Sequence, residues 1–337
     1  MSQLFKSAIM QAPKTEFHLH IEGALPINLL AKIDSKFEAS PPSSWDNSFR
    51  FADFTHFDET LLGMAVPFYN KPERYAEASE VIFKKMFAQN IKYAEVSFAS
   101  GIVQFLKISG DEISEAIAKS VPRGMTVKIF MGIHHDGRPQ DMEKVFEDSF
   151  AWKYLDGVDL HGDERVPLES WTAQYWHAMR DSQHYTKAHA GEVCGADFVE
   201  RVIDELGVKQ IEHGVRASES SHLMKRIANE NIVLDVCPTS NVKLRVCDSY
   251  KTHPLRTLKD NNIQCTINSD DPLVFGSDLI SEFDKLHQEM DFSQQECIEF
   301  IRSSWDCAKI DDTQKQNFIE ETNAILKSIG DLPYTKS

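Results

Sequence analysis

The sequence predicts an α/β chain folded as a closed (β/α)8 barrel, a TIM barrel, with extra helices inserted after the first strand. Three observations carry that expectation. Eight short runs rich in β-branched and aromatic residues recur along the 337 residues. Amphipathic helical patterns separate most of them. Histidine, aspartate and glutamate cluster where several of the runs end.

The expected strands, in order, are "TEFHLH" (15–20), "IKYAEVSF" (91–98), "MTVKIFMGI" (125–133) and "LDGVDLHG" (155–162). "YTKAHAGE" (185–192), "VKQIEHG" (208–214), "NIVLDVCP" (231–238) and "NIQCTINSD" (262–270) complete the set. Between them lie helical patterns. "FVERVIDELGV" puts Phe198, Val199, Val202, Ile203 and Leu206 on one face, and Gly207 stops the helix. "SSHLMKRIANEN" groups Leu223, Met224 and Ile227 after a serine start. Strand–helix alternation means βαβ units and a parallel sheet, and eight units close a barrel of roughly 250 residues. The surplus falls mainly in residues 24–90, read as extra helices and loops, with residues 45–75 placed to cap the pocket. "DDTQKQNFIEETNAILKSIG" reads as a terminal helix packed outside. No Pro-, Gly- or Ser-rich linker, internal repeat or low-complexity tract divides the chain, so residues 1–337 read as a single domain.

Lys+Arg number 36 and Asp+Glu 52, a formal net charge of −16. So acidic a chain has little long-range attraction for polyphosphate, which argues against nucleic acid or an anionic membrane as partner. A small, uncharged or cationic ligand fits better. The six cysteines form no C-x-x-C pair and no dense disulfide framework. No cleavable leader and no apolar run of membrane-spanning length is visible. Together these features point to a reducing, cytoplasmic setting.

The strand ends carry the chemistry. The first run ends in His18 and His20, the fifth in His189 and Glu192, the sixth in His213, the eighth in Asp270 and Asp271. In a parallel barrel these ends converge on one face. His-x-His on a strand directs both imidazoles to the same side. With a third histidine and an aspartate from other strand ends, the donor set suits Zn²⁺ and leaves room for a water of lowered pKa. Glu192 follows His189 across the small Ala190 and Gly191, beside the ion and not on it, where a proton donor belongs. Its plain alternative is a first-turn acid of the next helix. His213, before Gly214, fits a base or a water-orienting group; its plain alternative is a hydrogen-bonded core histidine. Adjacent Asp270 and Asp271 cannot point the same way, so one can ligate the metal while the other reaches a substrate. His134 or His135, and His161, are placed to line the pocket. His56, His177, His184, His222, His253 and His287 are expected to be mostly exposed or capping.

"PKTEFHLHIEGAL", "DLHGDE", "HAGE", "IEHG", "CPTSN" and "INSDDPLVF" resemble, in order and spacing, the motifs of the adenosine deaminase family of the amidohydrolase superfamily. They run from residue 13 to 276. The resemblance implies one Zn²⁺ per chain and hydrolytic loss of the 6-amino group from an adenine ring. It implies that His18, His20, His189 and Asp270 hold the zinc and that Glu192 protonates purine N1. His213 would orient or deprotonate the attacking water, Asp271 would bond N7, and the Gly162 backbone N–H would face N3. His20, Glu22, Gly162 and Asp271 are the expected substrate contacts.

The substrate signals divide. "DLHGDE" resembles adenosine-type members; "CPTSNVKL" and "NSDDP" resemble adenine- and nucleotide-type members. Glu22 stands where adenosine enzymes usually carry Asp, near the sugar 5′-hydroxyl. No run reads as a phosphate cradle, although Lys243 and Arg245 keep a nucleotide in view. An adenine nucleoside, adenosine or 2′-deoxyadenosine, is the leading expectation. The same chemistry on free adenine, aminodeoxyfutalosine, methylthioadenosine or an N6-substituted nucleotide is the alternative. A different class would be an inactive member that binds a purine nucleoside. A two-metal barrel hydrolase would want a bridging Lys or carboxylate after the fourth strand; "VDLHGDE" has no Lys, which favours one metal. The H-x-E and P-C-x-x-C pattern of nucleic-acid base deaminases is absent.

Overall fold

The structure, a computed structural model, describes residues 3–135, 137 and 139–330. Residues 1–2, 136, 138 and 331–337, which the single-domain expectation also covered, lie outside the described residues.

Strands β1 (Lys14–His20), β2 (Ile91–Ala99), β3 (Thr126–His134), β4 (Gly157–His161), β5 (Tyr185–Ala190), β6 (Gln210–His213), β7 (Val233–Val236) and β8 (Cys265–Ile267) form one eight-stranded sheet in sequence order. Each strand is parallel to the next. The sheet closes where Leu19 of β1 bridges Asp270, just past β8. There His20 N donates to Asp270 O (3.2 Å) and Asp270 N donates to His18 O (3.1 Å). All eight expected runs contain a strand, and the fold is the expected (β/α)8 barrel. The later strands are shorter than expected, all but β5 at both ends, and their C-terminal ends turn into loops. Gly162 (φ 92°) and Gly191 (φ 77°) turn the chain after β4 and β5. His213 (φ 61°) and Asp270 (φ 63°) do so after β6 and β8 without being glycine, a conformation that tertiary contacts must hold.

The helices follow the apolar spacing. Phe198, Val199, Val202, Ile203 and Leu206 are buried along Ala196–Leu206, and Gly207 ends that helix at φ 64°. Ser220 caps Ser221–Asn229 by accepting from Leu223 N at 3.2 Å. After β1 come the inserted pieces: short helices Ile27–Leu30 and Lys36–Ala39, a 3₁₀ turn Ser43–Trp45, and helices Phe54–Ala65 and Pro72–Ala88. Phe54–Ala65 lies over the C-terminal mouth. Its Phe57 stacks on Phe275 with ring centres 5.4 Å apart and planes 6° from parallel. The terminal helix Asp312–Gly330 packs against Gln294–Ser304 outside the barrel. At the other mouth Trp305 stacks on Phe318 and donates to Pro13 O at 2.9 Å. Among the described residues no helix is long and apolar enough to cross a membrane. All six cysteines are free thiols.

Below the mouth the barrel is filled by charge rather than by apolar layers alone. Lys187, Glu95, Asp159, Glu212 and Asp235 are all fully buried. Lys187 Nζ lies 2.6 Å from Glu212 Oε1 and donates to Phe17 O at 2.9 Å. Burial opposes its charge, but Glu212, Asp159, Glu95 and Asp235 more than offset this and raise its pKa, so it stays an ammonium. Removing one partner of such a pair strands the other. Lys187→Met is therefore expected to destabilise the fold by about 3–5 kcal/mol in urea unfolding at neutral pH. A loss below about 1 kcal/mol would show that this charged layer contributes no folding free energy.

Candidate active site

The seam between β8 and β1 brings the sequence-predicted residues together. His18 Nε2 lies 3.2 Å from His20 Nε2, and His20 Nε2 lies 3.3 Å from His189 Nε2. Asp270 Oδ1 is 3.2 Å from His18 Nε2 and 3.4 Å from His20 Nε2. The donor atoms of His18, His20 and His189 converge within 4.8 Å of one another.

The outer nitrogens decide what the inner ones can be. His189 Nδ1 faces only acceptors: Leu160 O at 2.9 Å, Glu212 Oε2 at 2.9 Å and Asp159 Oδ1 at 3.2 Å. His18 Nδ1 faces Asp235 O at 3.4 Å and Cys237 Sγ at 3.4 Å. The ring proton therefore belongs on Nδ1 of His189, and Asp235 O favours the same for His18, which leaves Nε2 lone pairs facing one another. A cation among them would relieve that arrangement, so these residues fit a divalent metal bound through nitrogen and oxygen. Burial presses the His20 pKa down to about 3, which keeps its ring neutral. Burial would raise Asp270, but His18, His213 and His20 beside it hold its carboxyl well below the usual range, as an anion.

The other expected residues line the same cavity. Glu192 is buried, with Oε1 3.3 Å from His213 Nε2. Burial, then the charges of Asp270 and Glu164, push its pKa well above normal, which favours the protonated acid. Asp271 is raised likewise by burial and by Asp270, and its Oδ1 has no partner. Room for Asp271 comes from Gly23: a Cβ there would lie 1.6 Å from Asp271 Oδ1. Glu22 Oε1 accepts from Tyr75 OH (2.7 Å) and Ala99 N (3.1 Å). A Cβ on Gly162 would meet His134 Nδ1 at 2.8 Å. His161 rests over Gly132 and stacks on His20 (5.6 Å, 22°). The helix Phe54–Ala65 roofs the cavity with Phe54, Phe57, Leu61 and Leu62, and the space open to the centre of a water molecule is about 70 Å³. A larger groove of about 350 Å³, lined by Trp45, Met86 and Leu273, lies elsewhere. It does not contain the histidine cluster, and its buried Glu16 is already satisfied by Ser269.

Some supporting residues escaped the sequence. Glu164 takes the backbone N–H groups of Glu192 (3.1 Å), Val193 (3.0 Å) and Cys194 (2.5 Å), which holds the turn that aims Glu192. Its signal was its place in "DLHGDE". Glu212 and Asp159 behind His189 stand at inward positions of buried strands, where a charge needs a reason. One expectation needs correction. His253, placed among the exposed or capping histidines, is buried and bonded to Asn241, because its loop folds inward against the helix Pro238–Lys243. His56, His177 and His222 are exposed as expected, and His184 and His287 are half-buried.

An eight-stranded parallel barrel with histidines and an aspartate converging at its C-terminal mouth defines a metal-dependent hydrolase of the amidohydrolase type. The chain belongs to the adenosine deaminase family, whose "Adenosine deaminase" model matches residues 13–325. It is 29% identical over 315 residues to the adenine deaminase of Sinorhizobium medicae (strain WSM419), covering 91% of this chain and 97% of that one. Among solved structures it resembles the adenine deaminase of Arthrobacter aurescens, with TM-score 0.84, 22% identity and coverage of 94% and 99%. It also resembles a zinc-bound amidohydrolase of Burkholderia ambifaria, with TM-score 0.85, 19% identity and coverage of 98% and 96%. At these identities the two structures speak to the fold alone.

His18→Ala removes one of the converging donors. The variant is expected to lose roughly 10- to 100-fold or more in metal affinity, read by metal analysis after dialysis against a weak chelator. Full metal retention with an unchanged circular dichroism spectrum would exclude His18 as a ligand.

Proposed function

We propose that the protein hydrolyses the 6-amino group of an adenine ring, with free adenine as the preferred substrate, acting as a single catalytic barrel domain with one Zn²⁺ per chain. His18, His20, His189 and Asp270 would hold the ion, which when bound supplies an activated water at neutral pH. The protein's own groups match the base. Adenine offers ring acceptors at N1, N3 and N7. Protonated Glu192 faces N1, the Gly162 N–H faces N3, and protonated Asp271 faces N7. Proton donation from Glu192 to N1 makes C6 electrophilic. Water oxygen bonds to C6, one of its protons passes to N6 and the other restores the Glu192 acid; the C6–N6 bond breaks and the nitrogen leaves as ammonia, giving hypoxanthine. His213 and Glu192 flank the site of attack.

The observation that carries the free-base reading is the roofed cavity. About 70 Å³ lies far below the roughly 300–1,000 Å³ of pockets for drug-sized ligands. N9 of such a base falls between the Asp271 and Gly162 sides. There the chain neighbours Glu22 and His161 supply polar atoms: the second oxygen of Glu22 and the unpartnered Nε2 of His161. A free base brings an N9–H to that edge; a nucleoside brings a sugar that must displace the roof. The relative from Sinorhizobium medicae, named an adenine deaminase, supports the same choice. Adenosine or 2′-deoxyadenosine is the second reading, favoured by Gly162–Asp163–Glu164. Six free thiols fit a cytoplasmic protein.

Ammonia release should be faster with adenine than with adenosine by roughly 100-fold or more in kcat/KM, the scale reached when a polar site rejects the wrong partner. The reverse order would overturn the free-base reading, and no release from either would overturn adenine deamination. Glu192→Gln should keep its metal yet lose roughly 10²–10⁴-fold in kcat; unchanged turnover would remove Glu192 as the acid.

A further inference from the structure

The residues behind His213 form a chain of hydrogen bonds whose direction is set at its far end. Leu255 N donates to His253 Nδ1 at 3.1 Å. A backbone amide can only donate, so His253 Nδ1 accepts and the ring proton is on Nε2. His253 Nε2 lies 3.1 Å from Asn241 Oδ1, which accepts that proton's bond. The Asn241 Nδ2 amide then lies 3.1 Å from His213 Nδ1 and donates to it. Exchanging the oxygen and nitrogen of Asn241 is not an alternative. It would turn an NH₂ toward His253 Nε2, and that ring would then have to accept at both nitrogens and carry no proton. Asn241 is 0% exposed, His213 1% and His253 6%, so the chain is sealed from bulk water. Burial also presses the His253 pKa down to about 3, consistent with a ring that never doubly protonates.

We propose that Asn241 and His253 are positioning residues that lock His213 with its proton on Nε2, so that His213 meets the reaction centre as a hydrogen-bond donor. Nε2 is the nitrogen that faces Glu192 Oε1 at 3.3 Å and Asp270 Oδ2 at 3.9 Å. In this tautomer His213 orients the attacking water and takes no proton from it. Of the two roles that the family resemblance leaves to this position, orienting and deprotonating, the chain selects the first. His253 is 40 residues beyond His213 in sequence. It reaches the site because the turn Tyr250–Thr252 packs on the helix Pro238–Lys243, whose Asn241 bonds both rings.

The test is long-range ¹⁵N NMR of the imidazoles in the full chain, with and without added Zn²⁺ and without substrate. His213 and His253 should each show a bare Nδ1 and a protonated Nε2; an Nδ1–H signal for His213 overturns the proposal. Asn241→Asp presents acceptors to both rings and should move the His213 proton to Nδ1. With adenine as substrate it should lower kcat roughly 10- to 100-fold, with KM and metal content little changed. A flipped tautomer with undiminished kcat would overturn the positioning role. His253→Gln can accept from Leu255 N and donate to Asn241, so it should recover turnover that His253→Leu loses; equal activity of the two variants also overturns it. The kinetic arm rests on the reading of His213 beside the reacting atoms. The NMR arm does not, so failure to deaminate adenine and failure of the tautomer lock are separately visible.

Discussion

The backbone pairing of β1 with the end of β8 is the constraint on which the rest of this structure depends. Two hydrogen bonds make it, and both run through Asp270: its N–H to His18 O and its carbonyl from His20 N. The contact that closes the barrel is thus the contact that sets three of the converging side chains in register. Side-chain period then turns His18 and His20 inward together. His189 arrives from the opposite wall, steadied by Glu212 and Asp159. The left-handed backbone at Asp270 is what lets one residue pair with β1 and still aim its carboxylate at the histidines.

Burial acts on every acid at this mouth, yet it leaves them in different charge states. Asp270 lies among imidazoles and stays ionised. Asp271, one residue on, lies beside that negative charge and keeps its proton. Glu192 keeps its proton for the same reasons. Neighbouring carboxyl groups driven apart in this way put a proton donor and an anion within one low-dielectric space. The acids also need exact room. Gly23 provides it for Asp271, and Glu164 provides fixed backbone geometry for Glu192.

Much of this was legible in the sequence, and the limits have physical causes. The eight strands announced themselves through β-branched runs, and His18, His20, Glu192 and Asp270 through their place at strand ends. A barrel maps such ends to one face, so local pattern and distant geometry agree. Glu164 showed only as a member of "DLHGDE", and Asn241 and His253 showed no role of their own, because such residues work through backbone amides and other side chains. Nothing in a short window reveals such a partner. His253 looked like an ordinary loop histidine because the fold of its loop, and not its spacing, buries it. Substrate choice was hardest to read, since the inserted helix Phe54–Ala65 that roofs the cavity carries none of the motifs.

That roof is fastened by the flat stack of Phe57 on Phe275, and Phe275 belongs to the short helix Pro272–Phe275 that begins immediately after Asp271. The fastening is apolar, with neither charge nor direction. Apolar contact weakens on cooling, so the join between the inserted helix and the segment that follows Asp271 loses strength as the temperature falls.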